Sequence, residues 1–184
     1  MKKEIRKEVL KKRDSLSQNR RKGYDEVIVR RLSRFLHGRV LSSMAAGSEP
    51  DLSSLAPDRV FAYPKVMDGT SMKAFVSSSF ETGPFSIREP SGGIEISPEE
   101  LDVILVPMVA FDERLHRLGH GKGYYDRFLK DTKAFKIGIA YEIQKKEDIP
   151  IDEGDVSMDI IVTEEKIYSG TAKSSADGTI SIVK

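Results

Sequence analysis

The chain has 184 residues, of which 32% are charged and 39% belong to the AVILMFWYC set, and its formal net charge is +1. That length suits one domain with a proper core, and the charge balance implies no whole-chain attraction to nucleic acid or membrane. With no cysteine in the chain, disulfides, thiolate metal sites and a cysteine nucleophile are excluded, and a cytoplasmic setting is expected.

In chain order, MKKEIRKEVLKKRD carries charge every two or three residues and lacks the apolar centre of a signal peptide. Ile5, Val9 and Leu16 recur at near-helical spacing and predict a first amphipathic helix. A break follows at Leu16-Ser17, with Ser17 placed to cap the next helix. Val27, Ile28, Arg31, Leu32, Phe35 and Leu36 then form one apolar stripe, and Gly38 is expected to end the second helix. Between Lys2 and Arg34 there are 13 Lys or Arg against 5 Asp or Glu. Solvated helix faces and an anionic ligand both account for that excess.

Short β-like runs come next: Val40–Met44, Val60–Tyr63, Ala74–Val76, Leu101–Phe111, Phe135–Tyr141 and Met158–Thr163. The run LDVILVPMVAF is nearly all apolar and rich in β-branched residues, as a strand buried on both faces of a parallel sheet requires. Val103–Phe111, the longest apolar stretch, is far short of the roughly 20 residues that cross a bilayer. GYYDRFLKD is helix-like and lies before FKIGIAY, giving a βαβ arrangement. The expected fold is therefore a single α/β domain over residues 1–168, with a mainly parallel central sheet flanked by helices and an N-terminal helical pair. Residues 169–184 read as a loose polar tail, in which ISIV could add an edge strand. Ligands of such sheets sit beyond the carboxyl ends of the strands, which directs attention to the loop after Phe111.

That loop reads Arg117-Leu118-Gly119-His120-Gly121-Lys122-Gly123-Tyr124-Tyr125-Asp126. Glycine at every second position lets backbone N–H groups approach a ligand closely, and Arg117 and Lys122 add positive charge. Together they describe a cradle for phosphate oxygens ahead of a helix N-terminus, although a tight strand-to-helix turn would use the same glycines. The pattern is neither GxGxxG nor GxxxxGK[ST], because Gly123 stands where a P-loop has the hydroxyl that holds Mg²⁺. A carboxylate must replace that hydroxyl, and Asp126 lies just past the glycines.

RLGxGxGYYDRFL resembles the signature of the 5-formyltetrahydrofolate cyclo-ligase family, also called 5,10-methenyltetrahydrofolate synthetase. The resemblance extends along nearly the whole chain. It includes Lys2 to Arg6, Leu16-Ser17, the stretch around Glu49, YPKV, GPFSIREP, DVILVPMVAFD, KIGIAYEIQ and DVSMDIIVTE. It implies ATP-dependent closure of 5-formyltetrahydrofolate to the 5,10-methenyl form with release of ADP and phosphate, through a phosphorylated formyl group.

By motif match the resemblance implies that Lys2, Arg6, Arg117, Gly119, Gly121, Lys122, Gly123 and Tyr125 bind ATP. Arg117, Lys122 and Tyr124 take catalytic roles, and Asp126 and Asp155 hold Mg²⁺. Met44, Glu49, His120 and Tyr124 fall on the folate side. Read without the resemblance, Asp155 is one of several acids in IDEGDVSMD, Met44 a core methionine and Tyr125 a packed ring. His120 is a tempting general base that the implied mechanism does not need. His37 and His116 read as surface residues, and Pro107 as a residue shaping its strand end. The chain departs from the family at AAGSEPDL, where EVDT is more usual, so the folate-side loop is expected to differ in shape. Two other readings are a cyclo-ligase-like protein with a different small substrate and an RNA-binding module using the basic helices. The latter lacks interleaved aromatics. No nucleic-acid or membrane partner is expected, and no spare apolar stripe remains, so a monomer is expected.

Overall fold

The computed structural model describes residues 1–83 and 86–170. Pro84 and Phe85 of the GPFSIREP segment, and the expected tail with its ISIV run from residue 171 onward, lie outside the described residues. The helices α1 (Lys2–Asp14) and α2 (Gln18–Leu32) open the chain. The Ser17 hydroxyl accepts the Arg20 N–H at 3.3 Å, the cap that its position suggested. α2 stops at Leu32 and tightens into a 3₁₀ turn, Ser33–Phe35, rather than running to Gly38. Gly38 (φ +52) serves the entry to the first strand instead, where an added Cβ would collide with the Asp102 carboxylate.

The strands that follow are β1 (Val40–Leu41), β2 (Ala62–Val66), β3 (Met72–Val76), β4 (Phe80–Thr82), β5 (Arg88–Pro90) and β6 (Ile94–Ile96). Next come β7 (Val103–Pro107), β8 (Ala110–Phe111), β9 (Arg117–Leu118), α3 (Tyr124–Leu129), β10 (Phe135–Ile139), β11 (Ile160–Val162) and β12 (Ile167–Ser169). Eight of them pair in the order β12-β11-β10-β7-β1-β2-β3-β6. The five central strands are parallel, and β12 at one edge and β3 and β6 at the other are antiparallel. Ser169, expected to begin the tail, ends the edge strand β12.

Alternation along β7 divides the core. Val103 and Leu105 face one cluster with Ile28 and Leu32 of α2, whereas Ile104 and Val106 face another with Phe128 and Leu129 of α3. A third, smaller cluster packs Val9 of α1 against Val109, Ala110, Leu118 and Ile149. The predicted Leu101–Phe111 strand divides at Met108-Val109. The reason lies in the hydrogen bonding: the buried Gln144 amide donates to the carbonyls of Met108 (2.8 Å) and Val109 (3.0 Å). Those carbonyls are thus satisfied by a side chain rather than by a neighbouring sheet strand. The chain then turns outward as the β8–β9 hairpin. Asp112, fully buried, knits that hairpin by accepting from the N–H groups of Arg114, His116 and Ile149. His116 is thus no loose surface group, since its ring pairs with Asp112 at 3.0 Å.

From β1 the chain steps to β2 on one side and later returns to β7 on the other. The crevice beyond the carboxyl ends of β1 and β7 is the switch point at which an open parallel sheet binds ligands.

Candidate active site

A cavity of about 650 Å³ opens at that switch point, within the range of small-molecule sites. Met44, Ala46 and Glu49 reach it from the segment after β1, Pro107 from the end of β7, and Pro64 and Val66 from β2. The β9–α3 loop supplies residues 117–126, and α1 supplies Lys2 and Arg6. Every residue expected to bind ATP, folate or metal lines this one space.

Backbone geometry explains the glycines. Gly121 and Gly123 adopt φ of +93 and +72, where side chains are strained. A Cβ on Gly121 would also lie 3.2 Å from the Arg6 guanidinium carbon. Arg6 Nε donates to the Gly119 carbonyl at 2.7 Å, so α1 is tied directly to the loop. Arg127 reinforces the far side by donating to the carbonyls of Lys122 (2.8 Å) and Thr70 (2.7 Å). The Tyr124 hydroxyl donates to the Gly69 carbonyl at 2.9 Å, which fixes its ring against the β2–β3 turn.

The expected phosphate cations and metal carboxylates are paired with one another. Arg117, with only 3% of its side chain exposed, donates to Asp126 at 2.6 Å. Lys2 donates to Asp155 at 2.6 Å and Asp152 at 2.8 Å. Burial works against the Lys2 charge, but these two hydrogen bonds outweigh it and hold the ammonium above its ordinary pKa. Burial likewise opposes the Asp155 charge, and the hydrogen bond from Lys2 overcomes it, keeping the carboxyl below its usual range. The Val156 N–H lies 3.4 Å from Asp126, which places that carboxylate beside the backbone just after Asp155. The two acids expected to bind metal therefore share one corner, with a cation already gathered in it. Among the described residues no cluster of three or more His, Cys, Asp or Glu forms a metal cage. Two carboxylates in an open site suit Mg²⁺, which takes its remaining ligands from phosphate and water.

On the opposite wall Glu49, 6% exposed, accepts from the Ala46 N–H at 3.0 Å and pairs with His120 Nε2 at 2.7 Å. Burial, with the Glu49 charge next, holds the Tyr125 phenol far above its ordinary pKa, so it is neutral. Its ring lies against the Arg117 guanidinium, 5.9 Å from centroid to carbon. Glycine periodicity exposed the loop, but nothing in the sequence marked Asp152 or the contact of His120 with Glu49. Asp152 sits among acids that look alike, and His120 and Glu49 are 71 residues apart.

The family described as "5-formyltetrahydrofolate cyclo-ligase family" matches residues 1–164. The 5-formyltetrahydrofolate cyclo-ligase of Mycoplasma pneumoniae is 33% identical over 174 residues, covering 88% of this chain and 97% of that protein. A probable 5-formyltetrahydrofolate cyclo-ligase of Schizosaccharomyces pombe is 40% identical over 107 residues. That match spans about half of each protein, 50% of this chain and 52% of the relative. Among solved structures, the Aquifex aeolicus 5,10-methenyltetrahydrofolate synthetase superposes with a TM-score of 0.82 at 34% identity, covering 96% of this chain and 98% of that one. The Mycoplasma pneumoniae synthetase superposes at 0.76 with 28% identity, covering 89% and 98%. The chain belongs to the 5-formyltetrahydrofolate cyclo-ligase family.

Proposed function

We propose that this protein closes 5-formyltetrahydrofolate to 5,10-methenyltetrahydrofolate at the expense of ATP, with release of ADP and phosphate. The observation that carries this reading is that cationic loop, paired carboxylates and folate-side residues all face one cavity. A ligase must bring both substrates into reach, and positioning them supplies much of the rate.

In this reading, the formyl oxygen of the folate attacks the γ-phosphorus and ADP departs. N10 then attacks the activated carbon and gives up its proton, and phosphate leaves with the former formyl oxygen. Lys2, Arg6 and Lys122, with the backbone N–H groups of Gly121 and Gly123, hold the phosphates and offset their charge. Asp126 and Asp155 would hold a Mg²⁺ ion, which supplies further charge neutralisation at the phosphate oxygens. Arg117, buried against Asp126, orients that carboxylate rather than lying open to phosphate. Met44 and Glu49 receive the pterin, the carboxylate accepting N–H donors from its edge. His120 covers a Glu49 oxygen and has 48% of its side chain exposed, so it has room to swing aside for substrate. The Tyr124 ring, pinned through its hydroxyl, offers its face to the heterocycle. The same reading has residues 1–168 act as one catalytic unit, monomeric and cytoplasmic.

The test is to mix protein, 5-formyltetrahydrofolate, ATP and Mg²⁺ and follow the near-ultraviolet absorbance of the methenyl product. The expected signal requires ATP and Mg²⁺ and is largely lost in Asp126→Ala. ATP binding without product would overturn the folate assignment and point to a different small substrate.

A further inference from the structure

Helix α1 reaches both sides of the cavity. Its first turns bring Lys2 to Asp152 and Asp155, and Arg6 to the Gly119 carbonyl. Its last turn brings Arg13 and Asp14 to Ser48, the residue before Glu49. Thirteen helical residues span roughly 20 Å, enough to link the two.

Arg13 is only 3% exposed. Its Nε donates to Ser48 Oγ at 2.9 Å, its Nη1 reaches the Met108 carbonyl at 3.4 Å, and the Ser48 hydroxyl donates onward to Asp14. A guanidinium in such a place is costly unless its charge is answered. Burial pulls the Arg13 pKa down, and the foremost charge pulling it back is Glu49, ahead of Asp14. An anchor for α1 alone needs no charge, since Val9 already packs that helix into an apolar cluster. A buried cation beside the Glu49 loop instead answers a buried anion that faces the cavity.

We propose that Arg13 is the positioning residue for Glu49. Its guanidinium holds the Ser48 side chain beside the Met108 carbonyl at the end of β7 and balances the charge of the adjacent Glu49 carboxylate. α1 thereby makes the placement of the folate-side carboxylate depend on the same helix that carries Lys2 and Arg6. The role rests on the reading of Glu49 as a folate contact.

The experiment compares Arg13→Met and Arg13→Lys, alone and combined with Glu49→Gln. Arg13→Met raises the KM for 5-formyltetrahydrofolate by about tenfold or more, the effect of losing a partner to a charged hydrogen bond. The KM for ATP stays within about twofold, and Arg13→Lys recovers part of the loss by restoring the charge without the fork. In the Glu49→Gln background Arg13→Met adds less than about twofold, because one residue acts through the other. Parallel rises in both KM values, or full additivity in the double variant, would overturn the proposal. A second readout is independent of turnover: the His120 ring-proton NMR signal at fixed pH. It moves in Arg13→Met, because the Glu49 carboxylate leaves its partner, and an unmoved signal contradicts the role. Failure of the wild type to form methenyl product would sink the folate reading, while this signal still decides whether Arg13 sets Glu49.

Discussion

At the scale of single residues, Gly121 sets the shape of the β9–α3 loop. Its φ of +93 strains any side chain, and a Cβ there would lie 3.2 Å from the Arg6 guanidinium carbon and push that group aside. Gly121→Ala should store about 1–2 kcal/mol of backbone strain at that turn. The main expected consequence is local: the loop shifts, Arg6 loses its seat, and the Kd for ATP by calorimetry rises about tenfold. Affinity for the folate, held from the opposite wall, changes by less than about twofold. Equal losses for both ligands would show that the loop does not act chiefly on the nucleotide. The glycine spacing and Asp126 were legible in sequence because chemistry there is local. The partner of Glu49 was not, because His120 meets it across 71 residues, and pairings that distant depend on the completed fold.

At the scale of elements, α1 packs through Ile5, Val9 and Leu10 into the smallest of the three apolar clusters. Val9 (1% exposed) is its one fully buried aliphatic side chain, set among Val109, Ala110, Leu118 and Ile149. Val9→Ala is expected to cost about 1–2 kcal/mol, the range for trimming an aliphatic side chain at a site that relaxes partly. It should weaken ATP as well, since α1 carries Lys2 and Arg6. Ile28→Ala in α2, at 0% exposure, should cost about 3 kcal/mol while leaving ATP affinity unchanged. Denaturant unfolding beside ATP titration checks the contrast, and an ATP effect from Ile28→Ala would contradict it. Periodicity revealed α1 and α2, the helix-like GYYDRFLKD marked α3, and unbroken apolar runs marked β7, β10 and β11, whose own residues demand burial. The sequence reading missed the β4–β5 hairpin, β6, β9 and β12, and overextended β1, because these short strands are set by pairing rather than by pattern. It also ran past Met108, where Gln144 from a distant 3₁₀ turn takes over the backbone carbonyls.

At the scale of the whole molecule, the parallel sheet sets the site at its switch point, and charge closes it. The tie between Lys2 and Asp155 holds the chain start to a segment more than 150 residues away. Asp155 has its folded pKa below the unfolded one, so its contribution is present above about pH 4 and fades as pH falls through the lowered value. Lys2 has its folded pKa raised, so its contribution is present below about pH 10 and fades as pH rises through the raised value. Amide protection factors at Ile5 and Arg6, the exchange rates relative to the intrinsic rate at each pH, should therefore hold between those limits and fall beyond them, before those of α2 do. A fall in protection near neutrality would contradict the tie. The central claim is that folate and ATP react with each other in this cavity through the formyl oxygen. It is tested most directly with 5-formyltetrahydrofolate labelled with ¹⁸O in the formyl group, ATP and Mg²⁺, by mass analysis of the phosphate released. The account predicts one ¹⁸O atom in each phosphate, formed in step with the methenyl product. Unlabelled phosphate, or phosphate released without methenyl product, would contradict it.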